Sequence, residues 1–128
     1  MTRLNILVVD DSEENRDFLC GILKKTEHTY SSAGNGQEAI ELLKHNQFDL
    51  VFMDLNMPIM TGDQATRYIR RNMPFPKNRV KIIAITAYKY KEFFDDFHDV
   101  GFNDIITKPY TPQKVMNVIN YQNIISAY

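Results

Sequence analysis

The feature that most restricts the fold of this chain is an alternation. Short apolar runs, too brief to be helices, are each followed by a longer stretch with apolar residues at helical spacing. Asn5-Ile6-Leu7-Val8-Val9 opens the series, with the length and β-branched content of a strand. It stops at Asp10-Asp11, and Ser12 is placed to cap a helix in which Phe18, Leu19, Ile22 and Leu23 share one face. His28 to Ser32 reads as a weaker strand, and Gly34-Asn35-Gly36 as a turn into a second helix marked by Ala39, Leu42 and Leu43. Leu50-Val51-Phe52-Met53 is a buried strand ending at Asp54. A loop with Pro58 and Gly62 then leads to a third helix from about Asp63 to Arg71. Met73-Pro74-Phe75-Pro76 is loop, because proline disfavours helix at and before itself. Val80 to Ile85 forms a fourth strand ending at Thr86. Phe93, Phe94, Phe97 and Val100 give the next helix an apolar face, with Gly101 as its closing C′ residue. Asp104 to Thr107 is a fifth strand, ending at Lys108-Pro109. Thr111 caps, and Pro112 starts, a last helix carrying Val115, Val118, Ile119 and Gln122.

Five strands alternating with five helices predict an α/β fold: a doubly wound parallel sheet, helices on both faces, right-handed crossovers. No linker-like stretch interrupts the 128 residues, so 1–128 reads as one domain. Its 44% hydrophobic and 24% charged content suits one soluble core and excludes a disordered chain. A net charge of −1 without a basic block argues against nucleic-acid or polybasic membrane binding. No segment reads as a signal peptide or membrane span. The single cysteine, Cys20, excludes an internal disulfide and fits a cytoplasmic setting; inside a helix it is expected to be a buried, unreactive thiol.

The polar residues fall where such a sheet places chemistry. Asp10 and Asp11 end the first strand, Asp54 the third, Thr86 the fourth and Lys108 the fifth. Sites in doubly wound sheets form outside the carboxyl ends of the strands, at the topological switch point. With strand order 2-1-3-4-5, strands one and three are neighbours there, and Asp11 and Asp54 converge. Three carboxylates so close repel one another, and a divalent cation removes the conflict. All-oxygen ligation without Cys or His points to Mg²⁺, or Mn²⁺, rather than Zn²⁺. Phosphoryl transfer needs little more than an in-line nucleophile and positive charge at the equatorial oxygens. Asp54 can be the nucleophile, Lys108 a counter-charge and Thr86 a hydrogen-bond donor. Singly, an Asp pair after a strand is more often a turn signal, and a lone Thr or Lys a structural or solvated residue. The combination at four strand ends is what points to function.

Val8-Val9-Asp10-Asp11-Ser12, Met53-Asp54-Leu55-Asn56-Met57-Pro58-Ile59-Met60-Thr61-Gly62, Ile83-Ala84-Ile85-Thr86-Ala87 and Gly101-Phe102-Asn103-Asp104 through Lys108-Pro109-Tyr110 together resemble response-regulator receiver domains of two-component systems. The resemblance runs from about Leu4 to Ile125. It implies the flavodoxin-like strand order 2-1-3-4-5 and a phosphoacceptor role for Asp54. It also implies Mg²⁺ held by Asp10 (through water), Asp11, Asp54 and the backbone carbonyl of Asn56. Thr86 would swing toward the phosphoryl group, Lys108 would pair with it, and the Lys108–Pro109 bond would be cis. The phosphodonor would be a histidine on a histidine kinase or histidine phosphotransfer protein. The chain would be a switch with only self-phosphorylation and slow hydrolysis, its output a changed affinity of the fourth helix, fifth strand and fifth helix for a downstream partner. The pattern around Asp54 and Thr86 suits the receiver of a hybrid histidine kinase, a stand-alone regulator being the alternative.

One departure is plain. The family's usual Tyr or Phe three residues before the Lys is here Ile105, so the usual aromatic rotation coupled to the Thr is not open to this chain. Tyr88 and Tyr110 are the candidates to replace it. A Mg²⁺-dependent phosphohydrolase of the haloacid-dehalogenase type would need a D-x-D motif after the first strand, which Asp10-Asp11-Ser12 lacks. A phosphate-independent interaction module would have no need of the acidic set, Thr86 and Lys108. Three further groups carry structural expectations. His28, His45 and His98 lack metal-ligand spacing and are expected at the surface or a strand edge. Arg67, Arg70 and Arg71 are expected on a solvated helix face. The dense Phe93-Phe94-Phe97 run is expected to be core, with some of it free for a partner.

Overall fold

The computed structural model describes residues 3–126, without the Ser126 side chain, so positions 1, 2, 127 and 128 of the one-domain reading lie outside the described residues. The strands are β1 (Asn5–Val9), β2 (Thr29–Ala33), β3 (Leu50–Asp54), β4 (Lys81–Thr86) and β5 (Asp104–Thr107). The helices are α1 (Glu13–Lys24), α2 (Gly36–His45), α3 (Gly62–Asn72), α4 (Tyr90–Phe97) and α5 (Pro112–Ser126), with one 3₁₀ turn at Lys77–Arg79. The strands form one parallel sheet in the order β2-β1-β3-β4-β5, as expected.

Strand residues alternate between the faces, so each apolar run feeds two cores. Ile6, Val8, Phe52, Ile83, Ile85 and Ile106 pack against Leu19, Ile22 and Leu23 of α1 and Val115, Val118 and Ile119 of α5. Leu7, Val9, Val51, Met53 and Ile82 pack on the other face against Ala39, Ile40 and Leu43 of α2 and Ala65 and Ile69 of α3. On that second face, α4 contributes Phe93 to a smaller cluster with Leu55, Ala84 and Ile105. Central β3 is buried at every position, while edge strand β2 exposes four of its five residues and buries only Ala33. That edge position explains why β2 was the weakest strand in the sequence; its bounds sit one residue later than expected.

The caps follow the sequence. Ser12 accepts a hydrogen bond from Asn15 N, Asn35 from Glu38 N and Thr111 from Lys114 N. The expectation for Gly101 needs correction. Helix α4 ends at Phe97 with His98 as its C-cap, and Gly101 lies beyond in the link to β5 at φ +111°. Phe18 is half exposed, its ring 5.7 Å from that of Tyr110, because Leu19, Ile22 and Leu23 already fill the buried stripe of α1. Phe93 is core but Phe94 is exposed. Cys20 is only partly buried, and burial, then the Asp17 charge, raises its thiol pKa.

Two residues, His28 and Arg70, take structural roles; of these, only Arg70 was expected to be solvated. His28, at the foot of β2, is buried and accepts the Leu4 amide on Nδ1 at 2.9 Å. Burial lowers its pKa. His45 and His98 do lie at the surface. Arg70 is partly buried and uses every N–H. Nε bonds Gly101 O at 3.0 Å, Nη1 bonds Asn78 O at 2.9 Å and Val80 O at 2.8 Å, and Nη2 bonds Gly101 O at 2.8 Å and Asn103 Oδ1 at 2.9 Å. Gly101 makes this possible, since a Cβ there would lie 3.0 Å from Arg70 Cγ.

Candidate functional site

The carboxyl ends of β1 and β3 are neighbours, with Val9 opposite Met53, so the next residues on each strand emerge together. Carboxylate oxygens of Asp10, Asp11 and Asp54 lie within 4.8 Å of one another, with Asp10 and Asp54 buried and Asp11 exposed. Asp10 is fixed by its own turn: Oδ1 accepts Ser12 N at 2.9 Å, and its backbone carbonyl accepts Arg16 Nη1 at 2.7 Å. No sequence motif pointed to that role of Arg16, since a single arginine on α1 resembles any solvated one.

Asp54 is 2% exposed, and Lys108 Nζ reaches its Oδ1 at 3.2 Å. Burial is the main cause raising its pKa, and Asp10 raises it further. The charge and hydrogen bond of Lys108 and the backbone N–H of Asn56 act the other way. Lys108 is positioned by the edge of the sheet, where its backbone N–H bonds Thr86 O at 2.7 Å, and the Lys108–Pro109 bond is cis. Thr86 is fully buried at the end of β4, and its Oγ1 accepts Tyr88 N at 3.0 Å. The Asn56 side chain is exposed. Tyr110 borders the site. Burial first, then the charges of Asp10 and Asp54, pushes its phenol pKa up to about 12.

The loop after Asp54 is held to unusual tolerances. Ile59 sits at φ 70°, a strained conformation for a β-branched residue, and Met60 N bonds Pro58 O at 2.7 Å across it. The chain then doubles back so closely that a Cβ at Gly62 would overlap the Asp54 carbonyl oxygen and lie 2.9 Å from Leu55 Cα. In the sequence Gly62 closes the motif that follows Asp54; the physical requirement for glycine there comes from this close approach.

The donor set fits a hard divalent cation. Three clustered carboxylates, with Asp10 and Asp54 both buried and the Asp10 charge opposing that of Asp54, supply oxygen ligands and a charge conflict that such a cation relieves. The strand ends thus bring Asp10, Asp11, Asp54 and Lys108 together, with Thr86 one strand away.

Ile105, in the position where an aromatic residue was expected, is buried against Leu55, Ala84 and Phe93, with Phe97 and Phe102 alongside. Tyr88, next to Thr86, places its ring 5.6 Å from that of Phe97 on α4. Among the described residues, no helix is long and apolar enough to cross a membrane.

Comparison with known proteins agrees with this geometry. Hybrid signal transduction histidine kinase A of Dictyostelium discoideum is 38% identical over 111 residues, which is 85% of this chain and 5% of that protein. Hybrid signal transduction histidine kinase E of the same organism is 36% identical over 111 residues, again 85% of this chain and 6% of that protein. The chain therefore spans a small part of the length of these relatives. The crystal structure of the receiver domain of sensor histidine kinase PA1611 from Pseudomonas aeruginosa PAO1 superposes with a TM-score of 0.84 at 25% identity, covering 94% of this chain and 98% of that one. That structure has a magnesium ion coordinated in its active site cleft. A family model, the response regulator receiver domain, matches residues 6–120. With its five-stranded order, its acidic cluster and this match, the chain belongs to the receiver domains of two-component response regulators.

Proposed function

We propose that this chain is a phosphoryl-accepting switch in which Asp54 takes a phosphoryl group from a phosphohistidine and alters binding to a downstream partner. The donor is a histidine kinase or histidine phosphotransfer protein; in a hybrid kinase like the relatives above, it can be another part of the same polypeptide. One observation carries the assignment: a buried carboxylate, Asp54, within 4.8 Å of the carboxylates of Asp10 and Asp11 and bridged by Lys108 at 3.2 Å.

The chemistry follows from the side chains. An Asp54 carboxylate oxygen attacks phosphorus, the phosphorus–nitrogen bond breaks, and its electron pair leaves with the imidazole. Asp10, Asp11, Asp54 and the Asn56 carbonyl would hold Mg²⁺, which supplies charge neutralisation at the transferring oxygens. Lys108 exchanges its bond to Asp54 for one to a phosphoryl oxygen. Thr86 accepts its present hydrogen bond from Tyr88 N, so its own O–H proton is free to donate to the phosphoryl group. Turning that hydroxyl disturbs the Tyr88 amide, and Tyr88 contacts Phe97, so α4 feels the event without an aromatic residue at 105. The weak hydrolytic activity is attack of water on the resulting acyl phosphate.

Intact-mass spectrometry after incubation with Mg²⁺ and acetyl phosphate tests the assignment. One phosphoryl adduct is expected on the wild type and none on Asp54→Asn. An adduct that persists in Asp54→Asn refutes it, as does catalytic turnover of phosphate esters without adduct formation.

A further inference from the structure

At the opposite end of the sheet from Asp54, the links into β4 and β5 enclose a second polar cleft. It measures about 450 Å³ and is lined by Arg70, Asn78, Arg79, Lys81, Gly101 and Asn103. Three of these six residues are cations and none is a carboxylate. The imbalance is local, since the whole chain carries a net charge of −1.

Arg70 lines the cleft. Its five N–H groups are all engaged, but every acceptor is a neutral carbonyl or amide oxygen. Its charge is therefore fixed in place and not neutralised. The Arg79 charge lies near enough to disfavour protonated Arg70, second only to burial. Three cations outside the cleft meet carboxylates: Arg67 pairs with Asp99, Lys44 with Glu41 and Lys108 with Asp54. Among the described residues, no ion pair involves Arg70, Arg79 or Lys81. Like charges gathered in a concave, partly desolvated place focus a positive potential, and a multivalent anion relieves their repulsion.

We propose that this cleft binds a small polyphosphate-type anion, with Arg79 and Lys81 as contacting cations and Arg70 as the fixed charge beside them. Arginine's planar fork suits phosphate oxygens, and lysine adds a point charge. The ligand would sit at the starts of β4 and β5, the strands that lead to Thr86 and Lys108, about 17 Å from Thr86 along β4 at the usual rise per residue. The cleft is independent of phosphoryl acceptance at Asp54.

The test is a ¹H–¹⁵N NMR titration of the labelled chain with pyrophosphate, free of Mg²⁺ and at constant ionic strength. Saturable shifts are expected at Asn78, Arg79, Lys81, Gly101 and Asn103. The Arg79→Ala/Lys81→Ala double variant should lower the affinity read at those amides at least about tenfold. Arg70 is left intact because it holds the fold. The absence of saturable shifts at these amides overturns the proposal, as do shifts confined to the loops around Asp54 and Lys108. Equal affinity in the double variant also overturns it.

Discussion

Replacing Arg70 by Met tests whether one guanidinium ties the roots of β4 and β5 together. Met keeps much of the stem and removes all five hydrogen bonds. Counting each charged bond at about 1.5–3 kcal/mol would overshoot, because exposed acceptors regain water. Burial separates the acceptors. Val80 is 7% exposed, so its carbonyl loses a partner that water replaces poorly, at about 1–3 kcal/mol. Asn78 and Gly101 are half-buried and Asn103 is exposed, so their bonds contribute only the ordinary net amount, about 1 kcal/mol or less each after resolvation. The expected loss is about 3 kcal/mol. With an unfolding entropy of about 2.1 cal/mol/K per residue, the 128 residues give about 0.27 kcal/mol/K, so Tm should fall by about 11 °C. Thermal unfolding by circular dichroism measures this, with urea unfolding to confirm that the m-value is unchanged. Arg70→Lys should recover a minority of the loss, since one ammonium cannot span four acceptors. A fall below about 3 °C for Arg70→Met would mean that water already satisfies these carbonyls, and the account of Arg70 as a tie would be wrong.

Three other perturbations follow from the same geometry. Gly62→Ala forces the loop away from the Asp54 carbonyl; a loss of at least about 2 kcal/mol in urea unfolding is expected, with slower phosphoryl uptake, and a variant within about 0.5 kcal/mol of wild type would contradict it. The pKa of His28 is lowered in the fold, so its contribution to stability is complete above the unfolded value of about 6.5 and is lost as pH falls from there toward the lower folded value. His28→Asn, which keeps an acceptor for Leu4 N, should remove that component; identical pH–stability curves for the two proteins would show that His28 does not titrate on unfolding. Tyr88→Ala, and less directly Tyr110→Ala, should reduce the phosphorylation-induced change in partner affinity measured by calorimetry; if neither alters it, the route from Thr86 does not pass through these rings.

What could be read beforehand and what could not differ in a physical way. Strand and helix order was legible because burial on both faces of a parallel sheet demands unbroken apolar runs, as at Leu50 to Met53, and helices betray themselves by spacing. The acidic cluster was legible because strand ends converge in this topology whatever the intervening residues. Long-range backbone contacts left no such trace. In sequence Arg70 resembled Arg67, which pairs with Asp99, and exposed Arg71, because no property of residue 70 alone reveals the carbonyls of Asn78, Val80 and Gly101. Gly62 and Gly101 are both glycines next to loops, but one is required by a close approach to Asp54 and the other by a positive φ beside Arg70. His28 hid its burial because it precedes an edge strand whose first four residues face water. The two poles of the sheet accordingly differ in legibility. The pole bearing Asp54 is built from side chains that follow apolar runs, which a sequence displays. The pole bearing Arg70 is built from one side chain reading main-chain oxygens, which are the same in every sequence. A charged cleft of the second kind becomes visible only when the backbone is in place.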